Sequence, residues 1–481
     1  MQNRRTFLNQ CANGGMWVAM VAPYMRVSGT VAEKSSPYLP LQSNTMEVAL
    51  PPGRRVPFGW PYWRIASKEQ GLFLHLSEVS AHSPSKIFLR LMVALDTRDK
   101  RRVLVTLGHT GRIIGSLNIW FASALQIFEC TLDASLAELK QSGIYLQTDH
   151  DQEPLYVLAT TERTGSHVFV SPVGRRNQPK EAFLESLTSL RSLHPFGWME
   201  GCTMDGLYAL QKAGRLTKRF DFQERLRLFL PDSTHLIYEN PGTEPSDNVF
   251  NNVEAGLPFA VISRVLPLHS SVKLFIDFAK SRFTNGKLNS QSLTTEGCYT
   301  LAYPLVVVGQ ALGDSDLYEL ALLELEARIK FLTSVDAVFQ RGQIDGSGRG
   351  FRNWGRGFTW FLLGIVRTAA VLKEDKSFRQ TNQLNYLREV FETYARLALS
   401  HQRPVHSWGA YLDLPETAFD ASTTAGLGAA LGYGKKMGWL TDLPEHRIKS
   451  IRSRLEKNFT ADGLLTGSCQ INRGRRGSAK K

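Results

Sequence analysis

The sequence predicts α and β regions in series: an antiparallel β-sandwich over residues 45–180, then an (α/α)6-type barrel over residues 181–470. Three observations predict it. The apolar period switches near residue 181 from that of short strands to that of helices. The second half alternates segments apolar on nearly every side with amphipathic, charged ones, which separates a buried layer from an outer one. That alternation recurs roughly every 50 residues, the pattern of stacked helical hairpins. A length of 481 residues is also too great for one ordinary domain.

In the first half, segments 71–76 and 86–93 are short and rich in β-branched and aromatic residues. Segments 102–107 and 113–119 flank His109-Thr110-Gly111-Arg112, a hairpin turn with glycine where a positive φ is needed. Asp96-Thr97-Arg98-Asp99 supplies another turn. Short strands punctuated this often indicate a sandwich. An accessory role for this region is the expectation.

In the second half, the helical period runs through 181–193, 206–213, 257–265, 272–283, 299–312, 317–332, 358–372, 384–399, 421–433 and 444–459. Segment 359–366 typifies the apolar set and 318–328 the amphipathic set. Pro304 lies inside a helix that begins near Glu296, so that helix is kinked or starts later. The buried set falls one helix short of six pairs before residue 470, which predicts an open barrel or a missing last partner.

Residues 1–32 read as an address. Asn3-Arg4-Arg5-Thr6-Phe7-Leu8 precedes an apolar stretch, 14–24, too short to span a bilayer. This resembles a twin-arginine export signal, with Thr30-Val31-Ala32 as the best cleavage site. It predicts engagement with the twin-arginine export machinery, a periplasmic or secreted destination, and no stable membrane insertion afterwards. Residues 471–481 read as a basic tail.

The net charge of +13 is scattered rather than run together, which suits an anionic partner. The candidates are nucleic acid, a membrane surface and a polyuronate; no zinc-finger, aromatic RNA-binding or basic-zipper pattern occurs, so nucleic acid is the weakest of the three. Cys11, Cys130, Cys202, Cys298 and Cys469 form no close pair and no metal framework. They read as buried thiols. Neither a metal nor a cofactor is expected.

Three buried-layer helices open alike: Trp198-Met199-Glu200-Gly201-Cys202, Asn252-Val253-Glu254-Ala255-Gly256 and Thr295-Glu296-Gly297-Cys298. One such glutamate merely complements a helix dipole. Carboxylates at several buried helix ends need partners or a wet cavity. Glu200, Glu254 and Glu296 are therefore expected around one mouth, with Asp205 either beside them or on a solvated helix face. Asn353-Trp354-Gly355-Arg356-Gly357-Phe358-Thr359-Trp360 opens a fourth helix. Arginine binds carboxylates bidentately, and indoles stack on sugar faces. A core tryptophan pair with a structural ion pair is the alternative. In Pro415-Glu416-Thr417-Ala418-Phe419-Asp420-Ala421-Ser422, Asp420 or Ser422 reads as an N-cap and Glu416 sits in the entering loop. These side chains suit an acidic sugar.

Trp354-Gly355-Arg356-Gly357 with Trp360 resembles the Trp-x-Arg-Gly-x-x-Trp segment of the unsaturated glucuronyl and rhamnogalacturonyl hydrolases. Residues 415–426 are similar to that family's later Glu-Thr-Ser-Ala-Thr-Ala-type helix opening. The resemblance spans roughly residues 195–470. It implies an (α/α)6 barrel that removes a 4,5-unsaturated uronic acid from lyase products by protonating the C4=C5 bond and adding water at C5. The family uses two aspartates, which by position correspond to Glu254 and Glu296, each longer by a methylene. The resemblance thus implies Glu296 as general acid and Glu254 as its partner. Trp354, Arg356 and Trp360 form the sugar clamp, and Glu200 and Glu416 are further substrate-binding candidates. Three other readings stay open: a glycosidase with paired glutamates acting on saturated uronides, a polysaccharide lyase, and a non-catalytic polysaccharide-binding protein. The lyase needs Tyr or His near Arg356, and none is close in sequence.

Overall fold

The computed structural model describes residues 37–44, 48–76, 86–148, 153–161, 164–171, 179–216, 219–240 and 242–468. The segments expected to be an export signal and a basic tail fall outside them, as do Cys11 and Cys469.

The first half is built of β1 (Tyr38–Gln42), β2 (Tyr62–Ile65), β3 (Leu72–Leu76), β4 (Lys86–Met92), β5 (Lys100–Leu107), β6 (Ile113–Trp120), β7 (Ile127–Thr131), β8 (Ile144–Thr148), β9 (Leu155–Leu158) and β10 (His167–Ser171). Eight of them join in the order β6-β5-β8-β3-β1-β10-β4-β7, and β2 pairs with β9. The pairings are antiparallel. Alternation decides which face is inside: Leu72, Leu74 and Leu76 of β3 are buried, while His75 between them is exposed. Val103 and Val105, Leu117 and Ile119, and Leu89 and Leu91 join the same core. The Asp133 N–H, just past β7, donates to the Ile114 carbonyl of β6 at 2.8 Å, so the two edges of the sheet meet. The strands thus form one large, curled antiparallel sheet.

A helix lies where only strands were expected. In α1 (Leu136–Ser142), Ser135 caps the Glu138 N–H and Glu138 returns a bond to the Ser135 N–H. This capping box is a readable signal that the strand pattern obscured.

The second half holds α2 (Pro179–Thr188), α3 (Trp198–Lys212), α4 (Phe222–Leu226), α5 (Phe259–Val265), α6 (Ser270–Ser281), α7 (Tyr303–Leu312), α8 (Asp316–Leu332), α9 (Gly355–Glu374), α10 (Thr381–Ser400), α11 (Ala421–Lys436) and α12 (Glu445–Glu456). Helices α3, α5, α7, α9 and α11 are the buried set; in α9 every residue from Gly355 to Ala369 is inside. The following helices show one buried stripe, such as Leu387, Phe391, Tyr394 and Ala398 of α10.

Missing side chains let the inner helices touch. A Cβ on Gly364 of α9 would stand 2.2 Å from the Cys298 carbonyl carbon, and one on Gly426 of α11 would stand 2.1 Å from Thr359 Cγ2. The helix does not start later: Glu296 and Gly297 are already helical, a π turn spans Cys298–Ala302, and α7 continues from it without a break, so Pro304 lies inside the run. The wide turn just ahead of Pro304 accommodates its missing N–H. Around the ring, α2 meets the turn that follows α12, with Phe183 against Phe459 at 5.0 Å. Burial pushes the Cys130 and Cys298 thiols up to about 12, and Cys202 is also a buried free thiol, as expected.

Candidate active site

The openings of α3 and α9 and the turns that lead into α5 and α7 line a cleft of about 620 Å3. Glu254, Glu296, Trp354, Arg356 and Trp360 all line it.

Glu254 sits on a short 3-10 turn, Val253–Gly256, whose start is fixed by the Asn252 side chain accepting the Glu254 N–H at 2.9 Å. Gly256 permits this approach, because a Cβ there would lie 2.2 Å from the Thr300 carbonyl oxygen. Glu296 follows the strand Ser292–Thr294, which pairs with Ala337–Gln343. That pairing delivers Gln340, whose Nε2 donates to both Glu296 oxygens at 3.0 and 3.1 Å. Burial raises the Glu254 carboxyl to about 7, and the charge of Glu296 adds to the rise. Burial also raises Glu296, against the Gln340 hydrogen bond that favours its charged form. Two carboxyls that oppose each other's ionisation titrate as a pair.

Trp354 is the N-cap of α9, and Arg356 folds back over its ring with the guanidinium carbon 4.8 Å from the centroid. Trp360, in the second turn of α9 and 2 % exposed, meets Trp198 edge-on at 5.3 Å and lies nearly parallel to Tyr299 at 6.0 Å. It forms a floor rather than an open stacking platform.

Two expected residues are elsewhere. Glu200 does not face the cleft. It is fully buried, with Arg225 of α4 donating from Nε to Oε1 at 2.5 Å and from Nη2 to Oε2 at 2.9 Å, and the His194 N–H donating at 3.0 Å. Its cost of burial is met by a partner, not by a wet mouth. Glu416 is exposed on the loop before α11, outside the cleft lining. Asp420 is the N-cap of α11, accepting the Thr423 N–H at 3.0 Å.

Asp205 is neither solvated nor in the cleft. It lies among the buried helices, accepting from Tyr299 at 2.6 Å, from Tyr303 at 2.7 Å, and from Arg367. Arg367 also donates to Tyr303 and to Tyr433, and Arg264 donates to Tyr303 at 3.3 Å. All five buried helices, or the turn leading into one, contribute to this cluster. Through Tyr299 it supports the Trp360 floor.

Further lining came from segments that the sequence did not mark as part of a site. Gln340 and Arg341 lie on a strand, while Asp96, Arg98 and Ser123 come from the sheet region. Among the described residues, no group of three or more His, Cys, Asp or Glu is arranged to hold a metal ion.

No family model and no curated protein matches this chain. Solved structures do. A glycoside hydrolase from family 105 of C. acetobutylicum is 17 % identical, with a TM-score of 0.49, over 63 % of this chain and 90 % of that one. A possible member of the same family from Salmonella enterica is 14 % identical, with a TM-score of 0.48, over 62 % and 87 %. The unsaturated glucuronyl hydrolase of Bacillus sp. GL1 is 15 % identical, with a TM-score of 0.36, over 61 % and 79 %. These relatives are glycoside hydrolases of the kind that the Trp354 segment resembles.

Proposed function

We propose that the chain is an exported glycoside hydrolase that removes a 4,5-unsaturated uronic acid from acidic oligosaccharides. Residues 181–470 form its catalytic domain, and residues 45–180 an appended domain built on the curled antiparallel sheet rather than on the expected sandwich. The observation that carries this reading is the pair Glu254 and Glu296, both raised in pKa, in one cleft with Arg356 and Trp354. Arg356 receives the sugar carboxylate, and Trp354 covers the ring.

The hydrogen bonds favour an assignment of roles opposite to the one taken from the resemblance. Gln340 stabilises the charged form of Glu296. Glu254 is raised to about 7, and its carboxyl accepts no hydrogen bond among the described residues. Protonated Glu254 is thus the better general acid near neutral pH. Its proton goes to C4, a water oxygen bonds to C5, and the water's proton returns to the carboxyl pair. The resulting hemiketal opens and releases the sugar.

The test is incubation with unsaturated and saturated uronic disaccharides. Loss of the ultraviolet absorbance of the conjugated carboxylate, abolished by Glu254→Gln, supports the reading. Sugar release only from the saturated compound replaces it with hydrolysis by paired glutamates. Binding without turnover of either replaces it with a polysaccharide-binding role. For export, Arg4→Lys with Arg5→Lys should retain the protein in the cytoplasm, and undiminished export rules out the twin-arginine route.

A further inference from the structure

One wall of the cleft does not come from the barrel. Asp96 and Arg98 lie on the turn between β4 and β5, and Ser123 lies between β6 and β7. This wall is tied down. Asp96 Oδ1 accepts the Ala124 N–H at 2.7 Å, and Oδ2 accepts the Gly242 N–H at 3.0 Å. Arg54 donates to the Asp96 carbonyl at 2.8 Å and to Thr243 Oγ1 at 2.9 Å. Beside it, Arg55 holds Glu239 at 2.7 Å and Asp247 at 2.7 Å. The acidic side chains on this wall, Asp96 and Glu239, are therefore engaged in joining the sheet to the segment that precedes the Glu254 turn.

Arg98 is engaged far less. Among the described residues its guanidinium makes one contact, from Nη2 to Asp96 Oδ2 at 3.5 Å, and its side chain is 38 % exposed. A 3.5 Å contact is at the limit of a hydrogen bond. Arg98 thus brings a charged, planar donor to the cleft on a loop whose backbone is already fixed, so little ordering remains for a ligand to impose. Arg356 and Arg341 line the same cleft. That is more cationic donor capacity than one uronate carboxylate requires. A cleft of about 620 Å3 is mid-range for ligand sites, which run roughly from 300 to 1,000 Å3.

We propose that Arg98 is a specificity-determining residue that receives a second anionic group, a carboxylate or a sulfate ester, on the sugar adjoining the uronic acid at Arg356. The preferred substrate then carries charge on two neighbouring units, and the sheet region is part of the substrate site. This rests on the uronide-releasing activity proposed above.

Three substrates test it: the same unsaturated uronide linked to a neutral sugar, to a second uronic acid, and to a sulfated sugar. The full chain should prefer at least one charged partner to the neutral one. Arg98→Ala should lower that preference, as a ratio of kcat/KM values, about tenfold, the scale of one charge-assisted contact. Arg98→Lys should restore part of it. Loss with the uronate alone, the sulfate alone, or both identifies the group bound. An unchanged ratio overturns the proposal, and so does an equal loss on all three substrates. If the wild type processes none of them, the proposed activity has failed. Calorimetry with Glu254→Gln then decides Arg98 separately: tighter binding of a charged compound that Arg98→Ala abolishes sustains it, and indifference to Arg98→Ala overturns it.

Discussion

Arg90 of β4 and Asp462, in the turn after α12, form a buried bidentate ion pair between residues 372 positions apart. Arg90 Nη2 donates to Asp462 Oδ1 at 2.9 Å, and Nη1 donates to Oδ2. Around the pair stand Glu129 at 2.7 Å and the Phe169 ring at 4.2 Å from Arg90, and the Tyr38 and Thr460 hydroxyls, which donate to Asp462 at 2.8 and 2.7 Å. Asp462→Ala strands most of a buried positive charge, so urea unfolding should show a loss of about 3–5 kcal/mol. The pH dependence has a definite sign. Burial alone would raise the Asp462 carboxyl, but Arg90 outweighs it and holds the group below the usual carboxylate range. Its stabilisation is present above that range and is lost as pH falls through the lowered value. Asp462→Asn should flatten that part of the acid-unfolding curve.

Glu254 behaves in the opposite sense. As a general acid with its carboxyl raised to about 7, it should give a kcat/KM that falls as pH rises through 7. Linkage adds a second effect. A raised native pKa means stability that is full below the ordinary carboxylate range and declines until pH passes about 7. Glu254→Gln should therefore melt higher than the wild type at pH 8 and close to it at pH 4. A wild-type advantage at pH 8 would show that the carboxyl is not held against its preference to ionise.

The Asp205–Arg367 cluster invites a double-mutant cycle. Asp205→Asn leaves Arg367 buried without its counter-charge, and Arg367→Met leaves Asp205 equally stranded. Each should cost several kcal/mol, about 3–5. The double variant should lose clearly less than the sum, with a coupling of about 1–3 kcal/mol. Additive losses would mean that the tyrosines satisfy both charges independently.

Two glycines in buried-layer helices separate packing from propensity. Gly364→Ala would drive a methyl into the Cys298 backbone, so it should cost about 1–3 kcal/mol by thermal or urea unfolding. Gly432 in α11 has nothing within 4 Å of an added Cβ. Gly432→Ala should instead stabilise by about 0.5–1 kcal/mol.

The parts of the site legible in the sequence were those with a local mark. Glu254 and Glu296 stand at helix openings, and Trp354, Arg356 and Trp360 share one short segment, so chain geometry alone brought each group to the mouth. Glu200 carries the same local mark and still points elsewhere, because its partner Arg225 lies 25 residues away on a five-residue helix that periodicity does not reveal. Gln340 has no local mark, and Arg98 is marked only as part of a turn. One depends on a strand pairing and the other on the docking of the sheet against the barrel. Helix layers were readable because burial on all sides leaves a compositional trace. The order of strands was not, since short alternating strands specify a face but not a neighbour.

The Arg90–Asp462 pair also orders events in time. Arg90 leaves the ribosome long before Asp462, so a nascent chain can assemble every strand of the sheet while its deepest guanidinium still lacks its bidentate counter-ion. Final charge balance in the N-terminal half thus waits on one of the last described turns to be synthesised. Ribosome-arrested chains extended by a C-terminal linker, with residue 462 either held in the exit tunnel or carried beyond it, should differ in protease resistance at β4, although neither differs in the sequence of the sheet itself.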